Sequence, residues 1–348
     1  MSEERVTSNV KSGDIVLSSR IRLARNFDDL PFRPKMSADQ ADDCIDRTLN
    51  ALKADPLDFS YFPMRGMKSV EKRVFAEEHR ISTELYERDD RGAALMSRDG
   101  SVVIMVNEED HLRIQAFSKG LDLESCFTRA FAAEDALQES LSFAFDDEWG
   151  YLTACPTNTG TAMRASVMLH LPMLTQKKNM GQVTQMTAKL GLTMRGIYGE
   201  GSEALGNVYQ LSNQVTLGKT ERELVDAVTA VARQVAGMER LLRQKAAADD
   251  PLGFSDRIHR AFGAFLYARL MPMSEFYSLW SSLRIGAAMG SVPVSVSLCD
   301  TMLERAQEAH LTKEAGHDLT ERETQAARAA MIRGMLAEKD ETIHPIDI

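Results

Sequence analysis

Residues 93–106 constrain the fold most strongly, because their pattern fits a β-hairpin whose second strand is buried. Two apolar runs, 93–96 and 102–106, flank Arg98-Asp99-Gly100. The glycine tolerates the positive φ that a tight turn demands. The second run is apolar throughout, which predicts a central strand covered on both faces.

The clearest helix begins at a capping box. Thr220 and Glu223 stand at the spacing at which each side chain can bond the backbone of the other. Apolar residues then recur three or four positions apart, as on one face of an amphipathic helix. They are Leu224, Val228, Val231, Val235, Met238 and Leu242. We expect this face to pack on the core.

A break in the pattern divides the chain. Residues 245–253 (KAAADDPLG) carry adjacent acids, a proline and a glycine, which are typical of a linker. The residues before about 220 mix strands and helices, whereas 255–269, 274–289 and 321–336 are helical in pattern. We therefore predict two domains, residues 1–248 and an all-helical 249–348.

Composition excludes several classes of protein. A net charge of −10 argues against a general nucleic-acid binder, which is normally basic. The chain shows neither an apolar run long enough to span a bilayer nor a secretory signal. The four cysteines (Cys44, Cys126, Cys155 and Cys299) have no paired spacing. They predict neither a disulfide framework nor a zinc site, and we expect a cytoplasmic protein.

Two polar segments border apolar runs. Asn107-Glu108-Glu109-Asp110 follows the buried strand of the hairpin, where it is either functional or a solvated strand end. Arg20 and Arg22 follow the apolar run 15–17 and would point to one face of an extended segment. Two adjacent guanidinium groups suit a phosphate between them, although an exposed basic strand edge has the same pattern.

A third segment, 151–161, reads as a short strand and a turn that lead into a helix over 162–171, with Met163, Val167 and Leu171 on one face. Near the N-terminus of such a helix, Cys155 could be held as a thiolate. A buried, inert thiol is the alternative. Arg164 would lie one turn into this helix.

The glycine-rich stretch 194–203 adds Arg195 and Glu200, and glycines let a loop move and approach a ligand. The chain contains neither a GxGxxG nor a GxxxxGK[ST] motif. Together the segments supply five arginines beside Glu109, Cys155 and Glu200. If they converge, the site has a cationic end for a polyphosphate and an anionic end for a cation, as a kinase of a basic nitrogen needs.

Four segments resemble, in order, the signatures of the phosphagen (guanidino) kinases, and most closely those of the family's bacterial protein-arginine kinases. They are VLSSRIRLARN, VNEEDHLRI, CPTNTGTAMRAS and RGIYGEGSEALG. The resemblance covers residues 14–240 well. It implies an α+β fold, with a curved, mostly antiparallel sheet flanked by helices and the site on its concave face.

The resemblance also implies the roles of the residues. The nucleotide phosphates of ATP would be held by Arg20, Arg22, Arg113, Arg164 and Arg195. Glu109 would be the catalytic carboxylate, Cys155 the thiolate near the guanidinium, and Glu200 the second carboxylate. Glu108 would help to hold Mg²⁺ through water. Either Glu109 or Glu200 could act as the base, and we favour Glu109.

The substrate is inferred from the order of the segments. Kinases of free arginine or creatine carry a helical domain before the first signature, whereas here the SSRIRLAR segment of that signature begins at Ser18. We therefore expect an open site for arginine on protein surfaces, with modified proteins marked for a Clp-type protease and a co-activator possible. A kinase of a small free guanidino compound and a non-catalytic phosphoarginine-binding adaptor are the alternatives.

The resemblance implies that the C-terminal domain of related proteins mediates dimerisation and carries a phosphoarginine site. An apolar stripe that includes Phe262 and Phe265 fits a helical bundle or a dimer face. Residues 328–333 resemble part of the phosphoarginine site, but the Arg-Asp pair expected upstream is missing. For Arg328 and Arg333 we therefore expect a solvated helix face.

Overall fold

The computed structural model describes residues 12–53, 55–87, 91–198 and 204–337. Ten strands lie in these ranges. In chain order they are β1 Val16–Arg25, β2 Ser60–Pro63, β3 Ala93–Met96, β4 Val102–Val106, β5 Leu112–Lys119, β6 Phe145–Asp146, β7 Gly150–Tyr151, β8 Met163–His170, β9 Leu192–Tyr198 and β10 Ala204–Asn213.

Eight of these strands form one sheet, in the order β2-β3-β4-β5-β1-β8-β10-β9. Every neighbouring pair in it is antiparallel. Strands β6 and β7 pair separately as a small antiparallel hairpin. The α+β class with a mostly antiparallel sheet is thus confirmed.

Twelve α-helices surround the sheet in the described residues. The first six are α1 Ala38–Ala51, α2 Ser69–Glu77, α3 Thr83–Glu87, α4 Leu123–Gln138, α5 Pro172–Gln176 and α6 Met180–Lys189. The remaining six are α7 Glu221–Asp249, α8 Pro251–Tyr267, α9 Met273–Met289, α10 Val296–Arg305, α11 Glu308–Ala315 and α12 Glu321–Ala337. None of the described helices has both the length and the apolar character needed to cross a membrane.

One face of the sheet carries the main core. Alternate residues of the central strands, such as Ile21, Ile114 and Val167, pack there against apolar residues of α1, α4 and α7. Each fully buried aliphatic side chain of this kind contributes about 1.5–3 kcal/mol. The opposite face is covered only at its margins. A small cluster with Ile81 and Leu85 covers β3 and β4, and the C-terminal helices cover the ends of β8 and β10.

The predicted hairpin is confirmed. Strands β3 and β4 pair with Leu95 opposite Ile104, and Gly100 in the turn has a φ of +68°. Ile104 faces the main core, while Val103 and Met105 face the smaller cluster on the other side. Both faces of β4 are therefore buried, which explains its uninterrupted apolar sequence.

The helix predicted over 162–171 is wrong, because this segment is strand β8. It pairs with β1 on one side and β10 on the other. A spacing of four residues is also a multiple of two, so Met163 and Val167 share a strand face as well as they would share a helix face. The intervening Ala165 is fully buried beside them, which only the strand period explains.

Helix α7 begins at the predicted capping box. The Thr220 hydroxyl accepts a hydrogen bond from the Glu223 N–H group, and the Glu223 carboxylate accepts one from the Thr220 N–H group. The helix continues to Asp249, and Asp250 then caps α8 by accepting from the Gly253 N–H group. A sharp turn between two long helices therefore lies within the predicted linker, and the domain boundary stays a prediction.

The prediction of a solvated face for Arg328 and Arg333 is wrong for Arg328, which is buried. Its guanidinium donates to the carbonyl oxygens of Ala306 at 2.7 Å and Met271 at 2.8 Å. Arg333 donates to the carbonyl oxygen of Ala268. Both arginines satisfy carbonyl groups outside α12 and so hold this helix to the rest of the bundle.

The backbone conformation at Gly160, just before β8, can be tested by substitution. Its φ is +116°, and an added Cβ would lie 2.5 Å from the Thr216 carbonyl oxygen. Gly160→Ala is therefore expected to lower the free energy of unfolding by roughly 1–3 kcal/mol. Gly237→Ala, inside α7 with open space around it, should raise it by about 0.5–1 kcal/mol.

Urea unfolding of both variants and the parent measures the two effects. Opposite shifts of the midpoint are expected. An unchanged midpoint for Gly160→Ala would show that this backbone conformation is not required.

Candidate active site

The register of the sheet places all five predicted arginines on one face. Arg22 of β1 lies directly opposite Arg164 of β8, and opposite Gln115 of β5 on its other side. Side chains of directly paired residues share a face, as do residues two apart in a strand. Arg20 therefore joins Arg22, and Arg113 joins Gln115. Arg195 of β9 lies opposite Gln210 of β10, and Gln210 lies opposite Met168 of β8. Met168 is on the same face as Arg164, so Arg195 is on that face as well.

This arrangement is electrostatically unfavourable by itself. Burial, followed by the charges of Arg113 and Arg164, lowers the pKa of Arg20 to about 10. Burial and the neighbouring arginines likewise lower the pKa of Arg22. Each shift means that the environment disfavours the charged guanidinium. Such a face is stabilised when an anion binds between the arginines.

The cavity on this face has a volume of about 440 Å³. Four of the five arginines line it, together with Glu109 and Cys155. Arg195 is exposed and is not part of this lining. After burial, its charge is the largest cause that lowers the pKa of Arg164, so it lies near the rim. Glu200 lies outside the described residues.

Arg113 marks the boundary between the cationic and acidic parts of the cavity. Its guanidinium donates to Glu108 at 2.8 Å and to Glu109 at 3.0 Å. Burial raises the pKa of Glu109; the charge of Arg113 opposes this shift, and those of Asp110, Glu108 and Glu84 add to it. A carboxylate with a raised pKa that stays partly exposed is suited to accept a proton.

Glu108 has a different environment from Glu109. It is buried, and its carboxylate also accepts hydrogen bonds from the Ser82 hydroxyl and the Glu109 N–H group. Together with Arg113, these donors fix the orientation of the carboxylate. Glu108 nevertheless borders a second cavity that Glu84 and Glu109 share. An outer-shell contact to Mg²⁺, which usually keeps several waters, fits this environment.

Asp110 is a positioning residue that the sequence analysis missed. It is fully buried, and its Oδ1 accepts from Asn26 Nδ2 and from the Ala154 N–H group, each at 2.7 Å. The loop after β4 is thereby tied to the loop that carries Cys155. The run of acids signalled this role only weakly, because the two partners lie far away in the sequence.

The loop of Cys155 is a short 3₁₀ turn, Pro156–Asn158, rather than the start of a long helix. The expectation of a thiolate held by a helix N-terminus therefore loses its basis. The Cys155 Sγ lies 3.0 Å from the Thr157 hydroxyl, and the Cys155 carbonyl accepts from the Thr153 hydroxyl at 2.8 Å. Cys155 is partly exposed and lines the cavity, so the alternative of a buried thiol is wrong.

The turn after α2 and the start of α3 supply an unpredicted wall of the cavity through His79, Ser82 and Glu84. His79 has a φ of +57° just after α2. Burial and the charge of Arg20 lower its pKa to about 4, so the imidazole is neutral at pH 7. Nothing in the local sequence pattern indicated that this segment would reach the arginines.

The chain is similar to proteins of known family. The model of the ATP:guanido phosphotransferase C-terminal catalytic domain matches residues 40–242, and that of the protein-arginine kinase McsB C-terminal domain matches residues 251–345. The protein-arginine kinase of Caldanaerobacter subterraneus is 38% identical over 94% of this chain and 98% of its own length. That of Moorella thermoacetica is 41% identical, covering 93% and 94% of the two chains.

Solved structures agree on the fold. A lombricine kinase matches with a TM-score of 0.60 at 24% identity, over 69% of this chain and 71% of its own. The duplicated taurocyamine kinase from Schistosoma mansoni, solved with transition-state analogue components, matches with a TM-score of 0.61 at 25% identity. That match covers 74% of this chain and 39% of the other. The chain therefore belongs to the ATP:guanido phosphotransferase family and, within it, to the branch of the protein-arginine kinases.

Proposed function

We propose that this protein transfers the γ-phosphoryl group of ATP to the guanidinium group of arginine side chains in proteins. The observation that carries the proposal is the single cavity in which four arginines meet Glu109 and Cys155. The curated relatives that span nearly the whole chain bear the name protein-arginine kinase, which supports the choice of substrate.

The arginines would bind the triphosphate. Guanidinium groups match phosphate oxygens bidentately and remain charged at neutral pH. Arg20 and Arg22 form the floor of the site, Arg113 and Arg164 flank them on the neighbouring strands, and Arg195 lies at the rim. Bound phosphate would relieve their mutual repulsion and would be held in line with the acceptor. Positioning of this kind supplies most of the catalysis in phosphoryl transfer.

Glu109 would activate the acceptor. A guanidinium offers only N–H donors and has a pKa above about 12, so its nitrogen is not a nucleophile until a proton leaves. The Glu109 carboxylate accepts that proton as the N–P bond forms and the bond from the γ-phosphorus to the ADP oxygen breaks. Cys155 would lie beside the guanidinium. Glu200 would be the second carboxylate that orients it.

Mg²⁺ would neutralise charge on the phosphates when it is bound with ATP. Glu108 would hold it through water while keeping Arg113 and the backbone of Glu109 in place. Glu108 therefore serves both to orient the catalytic groups and to contact the metal.

The wider setting is also a proposal. Phosphorylated proteins would be marked for degradation by a Clp-type protease. The kinase would act with a co-activator and would form a homodimer through its C-terminal helices. Four free thiols suit a reducing cytoplasm, where ATP is supplied. A kinase of a small guanidino compound and a phosphoarginine-binding adaptor remain the alternatives that the following experiments exclude or favour.

Incubation with γ-labelled ATP and either casein or free arginine, with detection under neutral conditions, separates the candidate functions. Label on protein arginine is expected. Glu109→Gln should lower the rate by ~10²–10⁴-fold because the proton acceptor is lost. Glu139→Gln, an exposed acid at the end of α4, is the matched control and should keep full activity.

Label on free arginine alone would instead favour the small-molecule kinase. Equal, background-level labelling by the parent and Glu109→Gln would favour the adaptor.

The raised pKa of Glu109 predicts the pH dependence. The base works only when deprotonated, so kcat/KM should fall as the pH drops through a value above that of an ordinary glutamate. Glu84→Gln removes one of the negative charges that raise this pKa. The fall in kcat/KM at acidic pH, the acidic limb of the pH profile, should therefore move to lower pH. Glu87→Gln, exposed on the same helix and outside the cavity lining, should leave the limb in place.

The profile of initial rates from acidic to neutral pH measures both variants. A limb that is unchanged in Glu84→Gln would show that another group controls it.

A further inference from the structure

A cluster of titratable side chains joins the C-terminal helices to α2, away from the catalytic groups. The imidazole of His310 on α11 lies between two acids at the end of α2. Its Nδ1 is 2.9 Å from Glu77 Oε2, and its Nε2 is 3.3 Å from Glu78 Oε1. Glu77 also accepts from the N–H groups of Ala309 and His310, so its carboxylate is fixed in place.

A third acid approaches from α10. Ligand atoms of Glu78, Glu304 and His310 lie within 4.8 Å of one another. Positive groups also act on the cluster. Arg80 Nε is 2.6 Å from Glu78 Oε2, and Lys313 acts on Glu78 through its charge. Arg73 and Arg328 interact with the charge of Glu77. With Glu77 included, three carboxylates surround one imidazole.

The geometry accommodates a metal ion as well as a protonated imidazole. Zinc binds imidazole nitrogen and carboxylate oxygen at about 2.0–2.1 Å in a tetrahedron, which puts two ligand atoms about 3.3–3.4 Å apart. The separation of His310 Nε2 and Glu78 Oε1 is 3.3 Å. A protonated imidazole has only two N–H groups, and these face Glu77 and Glu78. It therefore has no donor left for Glu304.

The contact with Glu77 completes the arrangement of a metal-binding histidine. A metal-bound histidine usually donates its other N–H group to a carboxylate, which fixes the tautomer and the orientation of the ring. Here Glu77 is placed to accept from Nδ1, so that the Nε2 lone pair points toward Glu78.

We propose that Glu78, Glu304 and His310 form a binding site for zinc or a similar divalent transition-metal ion, with Glu77 as its orienting carboxylate. Nitrogen and carboxylate ligands suit zinc, whereas magnesium and calcium prefer oxygen alone. Glu78 and Glu304 both line a groove of about 650 Å³. The fourth coordination position is therefore open to water or to a ligand in that groove.

The ion would connect the C-terminal helices to the catalytic cavity. Glu78 directly precedes His79, which lines that cavity. The carbonyl oxygen of Arg80 accepts from Gln115 Nε2 at 3.0 Å, and Gln115 lines the cavity as well. A metal bound at Glu78 would thus hold the 78–80 turn in the position from which it shapes the wall of the cavity.

Isothermal titration of the full chain with Zn²⁺ tests the site. The protein is prepared without a metal-affinity tag, stripped with EDTA and kept free of nucleotide. One zinc ion per chain is expected. Glu304→Gln, at an exposed position whose loss should not affect folding, should weaken binding at least about tenfold. His310→Gln should do the same.

Glu314→Gln is the matched control. Glu314 lies on α11, pairs with Arg305 at 3.1 Å and is not one of the clustered ligands. This variant should bind zinc as the parent does. Zinc should also raise the melting temperature of the parent but not that of Glu304→Gln, since only a folded site binds the ion.

Two results would overturn the proposal. One is the absence of saturable zinc binding by the parent, which would leave His310 as a protonated link between Glu77 and Glu78. The other is binding that survives both Glu304→Gln and His310→Gln but is lost in Cys155→Ser, which would put the ion in the catalytic cavity. Neither readout depends on kinase activity, so the result is independent of the proposed function.

Discussion

Arginine side chains of like charge lie side by side on one sheet face, and their repulsion governs how the sheet can be stabilised. Arg22 and Arg164 lie opposite each other on adjacent strands, and Arg20 and Arg113 flank them. Like charges in such positions cost stability. The opposite face offsets this cost, because residues such as Ile21 and Val167 are fully or almost fully buried there. The sheet is thus stabilised from one side and left receptive to anions on the other.

The change from positive to negative charge along the cavity depends on a few buried contacts. Arg113 holds Glu108 and Glu109 at the end of the cationic floor, and Asp110 links their loop to the loop of Cys155. A phosphoryl donor and a guanidinium acceptor need opposite charges a short distance apart. Here a single strand, β5, and the turn before it supply both. Substitutions at Asp110 would therefore affect the chemistry without touching either substrate.

Local patterns predicted what local physics determines. The capping box and stripe of α7, the hairpin of β3 and β4, and the shared face of Arg20 and Arg22 all follow from spacing alone. Strand β8 was mistaken for a helix because a four-residue repeat fits both periods. His79 and the buried role of Arg328 were missed because both depend on distant chain segments. The four signature segments predicted other long-range contacts, because their resemblance to a known family identifies residues that only the folded sheet brings together.

The arginine face is destabilising until an anion binds. This is tested by the melting temperatures of the parent and of Arg22→Met, measured with and without ATP. Methionine keeps much of the packing of the arginine stem but removes its charge. Without ATP, Arg22→Met is expected to melt at the same temperature as the parent or higher. ATP is expected to raise its melting temperature much less than that of the parent. A lower melting temperature for the free variant, with the full ATP-dependent rise retained, would contradict this expectation.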